Sequence, residues 1–213
     1  MALHYQEVKK ELLHLEKMLV SSYSPMPNQF FKDFCQPDFN TNPIYGLIHK
    51  AIDSDTRLNF LEEIEEKKQP IKAKIKSGGE GIRQVDAWRL PIESYIGTQL
   101  NYIILDLNET FNYRLSCIQD IQYLEYKEGD YYDWHSDVSD GLSSLRKISM
   151  SFVLNDDFEG GDLEFFHGGE TYVINAKEES LIAFTSFINH RVKKVTKGVR
   201  KALVVWVNGE SWR

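Results

Sequence analysis

The segment CIQDIQYLEYKEGDYYDWHSD, residues 117–137, sets the reading of the whole chain. Branched and aromatic side chains dominate Cys117–Tyr126, as they do on a pleated, half-buried surface. Gly129 interrupts the run, Tyr131–His135 resumes it, and the pattern persists downstream. Further strands are expected at Lys147–Leu154, Asp162–Phe166, Thr171–Ile174, Ser180–Phe184, His190–Val195 and Val199–Val207. Gly141, the Gly160-Gly161 and Gly168-Gly169 pairs and Gly198 punctuate them, which suggests a sandwich or jelly-roll barrel.

Before residue 114 the period is helical. Val8, Leu12, Leu15 and Leu19 recur at spacings of three and four, the stripe of an amphipathic helix over residues 5–20. Residues 21–43, with prolines at 25, 27, 37 and 43, read as an irregular connection. A second helix is expected over Tyr45–Lys67, broken around Asp53–Asp55 and stopped by Pro70. Ile71–Lys76 and Ile82–Leu90 flank the turn-forming Ser77-Gly78-Gly79 and look like a strand pair. Pro91 then opens a long helix with Ile96, Leu100, Ile103 and Leu107 on one face, a buttress for a sheet. Helices first and strands later is an α+β order, mainly β, with helices covering one face of a β-sandwich.

A chain of 213 residues, 42% hydrophobic and 13% aromatic, can bury a core of one domain with a modest appendage. The net charge of −7 argues against nucleic acid as a partner, because phosphate contacts need clustered cations. Lys67, Lys68, Lys72, Lys74 and Lys76 form a local cluster that reads as a solvated helix end and edge strand. Cys35 and Cys117 make neither a disulfide framework nor a thiolate cluster, so a reduced, cytoplasmic setting is expected. Residues 1–20 mix charged with apolar side chains, and no stretch reaches the ~18–20 apolar residues of a membrane span.

His135-Ser136-Asp137 places an imidazole and a carboxylate at i and i+2, which on a strand share a face. Alone the triplet is weak evidence, and a surface loop carrying a His and an Asp is the better reading of it. A second imidazole, His190, arrives on a late strand, and two imidazoles with one carboxylate are the facial triad of non-haem Fe(II) sites. Zinc accepts the same donors with water as a fourth.

Arg200 discriminates. If Thr196-Lys197-Gly198 is a three-residue hairpin loop, Lys194 faces Arg200 and Val204 faces His190. Arg200, Ala202, Val204 and Trp206 then share the face of His190, while Leu203, Val205 and Val207 pack outward. Arg200 lies about four residues, roughly 13 Å, from the ligand row, a span that a five-carbon diacid chelating the metal can bridge. In Ser149–Leu154, Ser149, Ser151 and Val153 are expected to line the cavity, with Met150, Phe152 and Leu154 in the outer packing.

These residues together resemble the prolyl-4-hydroxylase-like, PKHD-type Fe(II)/2-oxoglutarate dioxygenases. The matching text is Tyr126-xx-Gly129-xx-Tyr132-xx-His135-x-Asp137, Leu154-Asn155, Phe158-Glu159-Gly160-Gly161-Asp162-Leu163, Phe184, His190, and Val195-Thr196-Lys197-Gly198-x-Arg200 with Trp206. It covers residues 114–208 in order. The resemblance implies a double-stranded β-helix, jelly-roll or cupin-like, expected over residues 71–213; residues 1–70 match no motif of the family and are expected, from their periodicity, to be a helical N-terminal extension packed on it. It implies His135, Asp137 and His190 as iron ligands and Arg200 as the anchor of the distal carboxylate of 2-oxoglutarate. Tyr126 matches a tyrosine lining the cosubstrate pocket, and Ser149 or Ser151 could donate a second contact. That contact comes from a tyrosine in several animal prolyl hydroxylases, where this chain has Val153.

The implied reaction hydroxylates a C–H bond, favouring a prolyl residue in a protein or peptide, while 2-oxoglutarate and O2 yield succinate and CO2. Ascorbate is a candidate auxiliary reductant. The same chemistry on a free amino acid or other small molecule, or a non-catalytic metal and 2-oxoglutarate sensor, are the alternatives. A nucleic-acid demethylase of this superfamily usually carries a second arginine where Trp206 stands, a halogenase lacks the carboxylate that Asp137 supplies, and a zinc hydrolase lacks its general-base Glu here.

Overall fold

The runs of branched and aromatic residues fold as strands and gather into two antiparallel sheets with apolar side chains between them. The computed structural model describes residues 45–70 and 82–211. In chain order these form β1 (Tyr45–Ile48), α1 (Ser54–Lys67), β2 (Gln69–Pro70), β3 (Arg83–Gln84), β4 (Asp86–Leu90) and α2 (Tyr95–Phe111). The strand-rich half follows with β5 (Leu115–Tyr126), β6 (Tyr131–His135), a 3-10 turn at Gly141–Leu145, β7 (Arg146–Val153) and β8 (Phe158–Gly160). It ends with β9 (Leu163–His167), β10 (Glu170–Ile174), β11 (Leu181–Thr185), β12 (Asn189–Val192), β13 (Val195–Gly198) and β14 (Arg200–Gly209).

The large sheet runs β1-β11-β7-β14-β5-β4-β2, the small sheet β10-β9-β12-β6-β3, and β13 pairs with β8 in a short ribbon. This is the double-stranded β-helix. Strand β7 sits between β11 and β14 and is buried along almost its whole length, so both its faces are covered. On the outer side Phe60 of α1 meets Phe152 edge-on at 6.3 Å between centroids. On the inner side Leu124, Tyr126, Leu163, Phe165, Phe184 and Val192 belong to the core shared by the sheets.

Three sequence expectations are corrected. The helix expected from Tyr45 starts at Ser54, capped by Asp53, whose carboxylate accepts from Thr56 N at 2.7 Å. Tyr45-Gly46-Leu47-Ile48 instead pairs with β11 as an edge strand, because four residues with a glycine form a poor helix but can satisfy their backbone on a neighbouring strand. Residues 45–70 thus contribute β1 and β2 to the large sheet. The segment Ile82–Leu90 divides at Val85, with β3 joining the small sheet and β4 the large one. The other half of that expected pair, residues 71–76, lies outside the described residues, as does the helix expected over residues 5–20.

The long helix begins four residues after Pro91. Ser94 is its cap, accepting from Gly97 N at 3.1 Å, and buried Ile96, Leu100, Ile104 and Leu107 form its packed stripe. A Cβ on Gly97 would stand 1.8 Å from the carbonyl oxygen of Ile92, so only glycine permits this approach. Glu63 of α1 adds a second cap, receiving the backbone N–H groups of Tyr95 at 3.1 Å and Ile96 at 2.7 Å. One carboxylate therefore ties the two helices together at the positive end of α2.

The third correction concerns the terminal hairpin. His190 and Arg200 do not lie on paired strands: β12 pairs with β6 and β9, whereas β14 pairs with β5 and β7. Between them the backbone of Val195 is captured by the turn after β5, with Val195 N donating to Asp130 O at 3.0 Å and Gly129 N donating to Val195 O at 2.8 Å. The chain therefore crosses from the small sheet to the large one. No described helix is long and apolar enough to cross a membrane.

Candidate metal centre

Strands β6 and β12 are neighbours in the small sheet, and their register sets His135 opposite His190 with ring centroids 4.1 Å apart. Asp137 follows two residues after β6 ends. Its backbone N–H donates to Ser186 O at 3.0 Å, and its own carbonyl accepts from Arg146 Nη1 at 3.1 Å. The donor atoms of His135, Asp137 and His190 all lie within 4.8 Å of one another.

Second contacts select the atoms that face inward. His135 Nδ1 lies 2.7 Å from Asp133 O, and His190 Nδ1 lies 3.0 Å from Ile188 O. A carbonyl only accepts, so each Nδ1 carries the proton and each Nε2 presents a lone pair. Both Nε2 atoms point at the carboxylate, 3.6 Å from Asp137 Oδ1 and Oδ2 respectively. The Ser149 hydroxyl donates to Asp137 Oδ2 at 2.6 Å and, having one proton, accepts from Ser186 Oγ at 3.0 Å.

Burial pushes the His190 imidazole down to about 4, against the pull of Asp137, so it is a neutral donor at pH 7. Its contact with Asp137 is then no ion pair at that pH. Burial would raise the Asp137 carboxyl, but the imidazoles and the Ser149 hydroxyl outweigh it and hold the group well below the usual carboxylate range. Two imidazole nitrogens and one carboxylate oxygen converging in this way form a donor set that fits Fe(II).

The triad opens on a pocket enclosing about 450 Å³ that includes open solvent, lined also by Tyr126, Ser151, Phe184, Arg200 and Trp206. Arg200 is 3% exposed, and its guanidinium carbon sits 5.4 Å from the centre of the Tyr126 ring, its cross-strand neighbour. Burial lowers its pKa, and no ion pair to it exists among the described residues. Arg200, Val204 and Trp206 face the pocket as alternation along one strand predicts, although the strand pairing behind that prediction is different.

Of the two serines predicted to line the cavity, Ser151 does and Ser149 does not. Ser149 is fully buried with its hydroxyl committed to Asp137. Three contributors escaped the sequence reading. Ser186 completes the hydroxyl chain, Arg146 holds the Asp137 carbonyl with its guanidinium 4.3 Å from the centre of the Trp206 ring, and Arg83 lines the pocket from β3. Only Arg83 left a signal, as a cation inside the alternating run Ile82–Leu90.

Comparison with known proteins agrees with this architecture. Residues 121–208 match the 2OG-Fe(II) oxygenase superfamily. A PKHD-type hydroxylase of Synechococcus sp. is 39% identical over 83 residues, which cover 38% of this chain and 37% of that protein. A PKHD-type hydroxylase of Idiomarina loihiensis is 34% identical over 86 residues, 38% of each. The chain thus spans little more than a third of the length of these curated relatives.

Among solved structures, a Pseudomonas putida prolyl-4-hydroxylase superposes with a TM-score of 0.63 at 18% identity, covering 79% of this chain and 94% of that one. A prolyl hydroxylase from Trichoplax adhaerens, in complex with a hypoxia inducible factor peptide, gives 0.66 at 16% identity over 87% of this chain and 94% of that one. At such identities the likeness is one of fold. Fold, converging triad and sequence match coincide on one segment, residues 121–208, which is similar to the 2OG-Fe(II) oxygenase superfamily.

Proposed function

We propose that the protein is an Fe(II)- and 2-oxoglutarate-dependent dioxygenase that hydroxylates a C–H bond, with a prolyl residue of a protein or peptide as the favoured substrate. The observation that carries this reading is one pocket holding both a His-Asp-His donor set and a buried guanidinium that makes no ion pair among the described residues.

In this reading His135 Nε2, His190 Nε2 and an Asp137 oxygen hold the iron. Arg200 receives the distal carboxylate of 2-oxoglutarate, because a permanently charged planar fork pairs with a carboxylate in two parallel hydrogen bonds. The ring of Tyr126 supports the guanidinium. With Ser149 committed elsewhere, Ser151 is the hydroxyl left to assist at that carboxylate. Phe184, Leu163 and Val204 exclude water around the diacid and so strengthen the charge pairing. When bound, Fe(II) with O2 and 2-oxoglutarate would supply the oxidising power, the cosubstrate leaving as succinate and CO2.

The prolyl preference rests on the PKHD-type relatives and on the peptide-bound prolyl hydroxylase of the same fold. An oxygenase unit extending upstream to β1, with residues before it as an appendage, and a cytoplasmic location complete the proposal. Succinate formation from 2-oxoglutarate with Fe(II) under O2, in the presence and absence of prolyl peptides, tests it. A protein that binds iron and 2-oxoglutarate yet makes no succinate is a sensor, and the enzymatic reading then falls.

A further inference from the structure

The pocket holds two guanidinium groups, and the reading above uses one. Arg83 lies on β3 directly across from Tyr132 of β6, and its guanidinium carbon is 5.0 Å from the centre of the Tyr132 ring. The Tyr132 ring in turn stacks on His135 with centroids 3.5 Å apart. A cation thus stands one aromatic ring away from a metal ligand. Arg83 Nε is buried without a hydrogen-bond partner, and no carboxylate pairs with this side chain among the described residues. Among the described residues Asp137 is the only carboxylate lining the pocket.

Charge balance gives this cation a purpose. A divalent metal and Arg200 bring three positive charges, and Asp137 with dianionic 2-oxoglutarate brings three negative ones. The charge of Arg83 is left over in a pocket walled by Leu163, Phe184, Val192 and Val204. Stacking on Tyr132 offsets little of the cost of the charge and leaves the buried Nε–H unsatisfied. A carboxylate on the guanidinium would satisfy both the charge and the donor.

We propose that Arg83 is a specificity-determining residue that pairs with a carboxylate of the substrate, held beside the bond to be hydroxylated. The inference rests on the oxygenase reading, and it selects substrates carrying an anionic group near the reacting carbon. That group is the free carboxylate of an amino acid or an acidic side chain next to the target residue.

The test uses Co(II)-loaded protein saturated with 2-oxoglutarate, which does not turn over, and saturation-transfer NMR with matched acid and amide probes. Propionate is expected to bind at least tenfold more tightly than propionamide. Arg83→Gln should abolish the difference, Arg83→Lys should restore part of it, and the 2-oxoglutarate Kd should stay within twofold in both variants. L-proline against L-prolinamide, and acetyl-Glu-Pro-amide against acetyl-Gln-Pro-amide, then report which source of carboxylate is preferred.

Equal binding of propionate and propionamide, absence of propionate binding, or an acid preference that survives Arg83→Gln overturns the proposal. A weakened 2-oxoglutarate Kd in Arg83→Gln also overturns it and assigns the guanidinium to the cosubstrate. Failure of the wild-type Co(II) protein to bind 2-oxoglutarate is seen before any probe is added; it sinks the oxygenase reading and this inference with it.

Discussion

The hydroxyl of Ser149 donates to Asp137 Oδ2 at 2.6 Å while Ser186 supports it from behind at 3.0 Å. This bond fixes how the carboxylate is turned before any metal arrives. Removing the hydroxyl leaves a buried carboxylate oxygen short of a donor, a cost of about 1–3 kcal/mol, and frees the group to rotate. Ser149→Ala is expected to weaken metal affinity by ~10- to 100-fold, the range found when a ligand loses its supporting contact. Titration with Co(II) or Zn(II), read by calorimetry, checks it; an unchanged Kd means the bond is incidental.

Arg200 gives a test in two directions. Arg200→Met should raise the 2-oxoglutarate Kd by about 2–5 kcal/mol, at least ~30-fold, while metal affinity persists. The same variant should melt no lower than wild type without ligand, because it removes a buried charge that makes no ion pair among the described residues. If the variant keeps its 2-oxoglutarate affinity, the anchor lies elsewhere.

Gly161 adjoins that anchor. Its φ is +66°, and a Cβ there would meet Arg200 Cδ at 2.9 Å and Val195 Cγ2 at 3.0 Å. Gly161→Ala combines left-handed strain, about 1 kcal/mol, with displacement of the guanidinium. We expect a higher KM for 2-oxoglutarate with an unaltered metal Kd, measured by succinate release and by calorimetry. A variant matching wild type in KM would show that Arg200 tolerates the intrusion.

Acid sensitivity should centre on the helix junction. Burial raises the Glu63 carboxyl, but Lys67 and the N–H groups of Ile96 and Tyr95 outweigh it, so its pKa is lowered on folding. A depressed folded pKa contributes stability that is present above the unfolded value, about 4.3, and is lost as pH falls through the folded value. Glu63→Gln should therefore lose about 1 kcal/mol at pH 7 and differ progressively less from wild type below pH ~4. Melting curves at pH 7, 5 and 3.5 decide it, and a constant gap across that range contradicts the linkage.

What the sequence disclosed and what it hid separate by range of interaction. The face of Arg200 was legible because alternation along β14 is local, and Leu203 and Val205 mark the opposite side. Its strand partner was not, since nothing near residue 195 announces that the turn at Gly129 and Asp130 will seize the Val195 backbone. His135 and Asp137 were legible as neighbours two residues apart, and His190 as an imidazole on a late strand. Strand parity turns Ser149 toward the cavity, but parity cannot tell a hydroxyl facing the open pocket from one facing Asp137 twelve residues away. Tyr45–Ile48 read as helix because its partner, β11, lies more than 130 residues further on.

The two imidazoles belong to the small sheet and Arg200 to the large one. A diacid gripped at both ends would therefore act as a strut across the sandwich, adding a second polar tie to layers joined by apolar side chains and by the bonds around Asp137. Loading should then slow amide exchange in β12 and β14 together, and succinate, a diacid one carbon shorter, should brace them less. Product release in such a molecule is the moment when the two sheets regain their freedom to breathe.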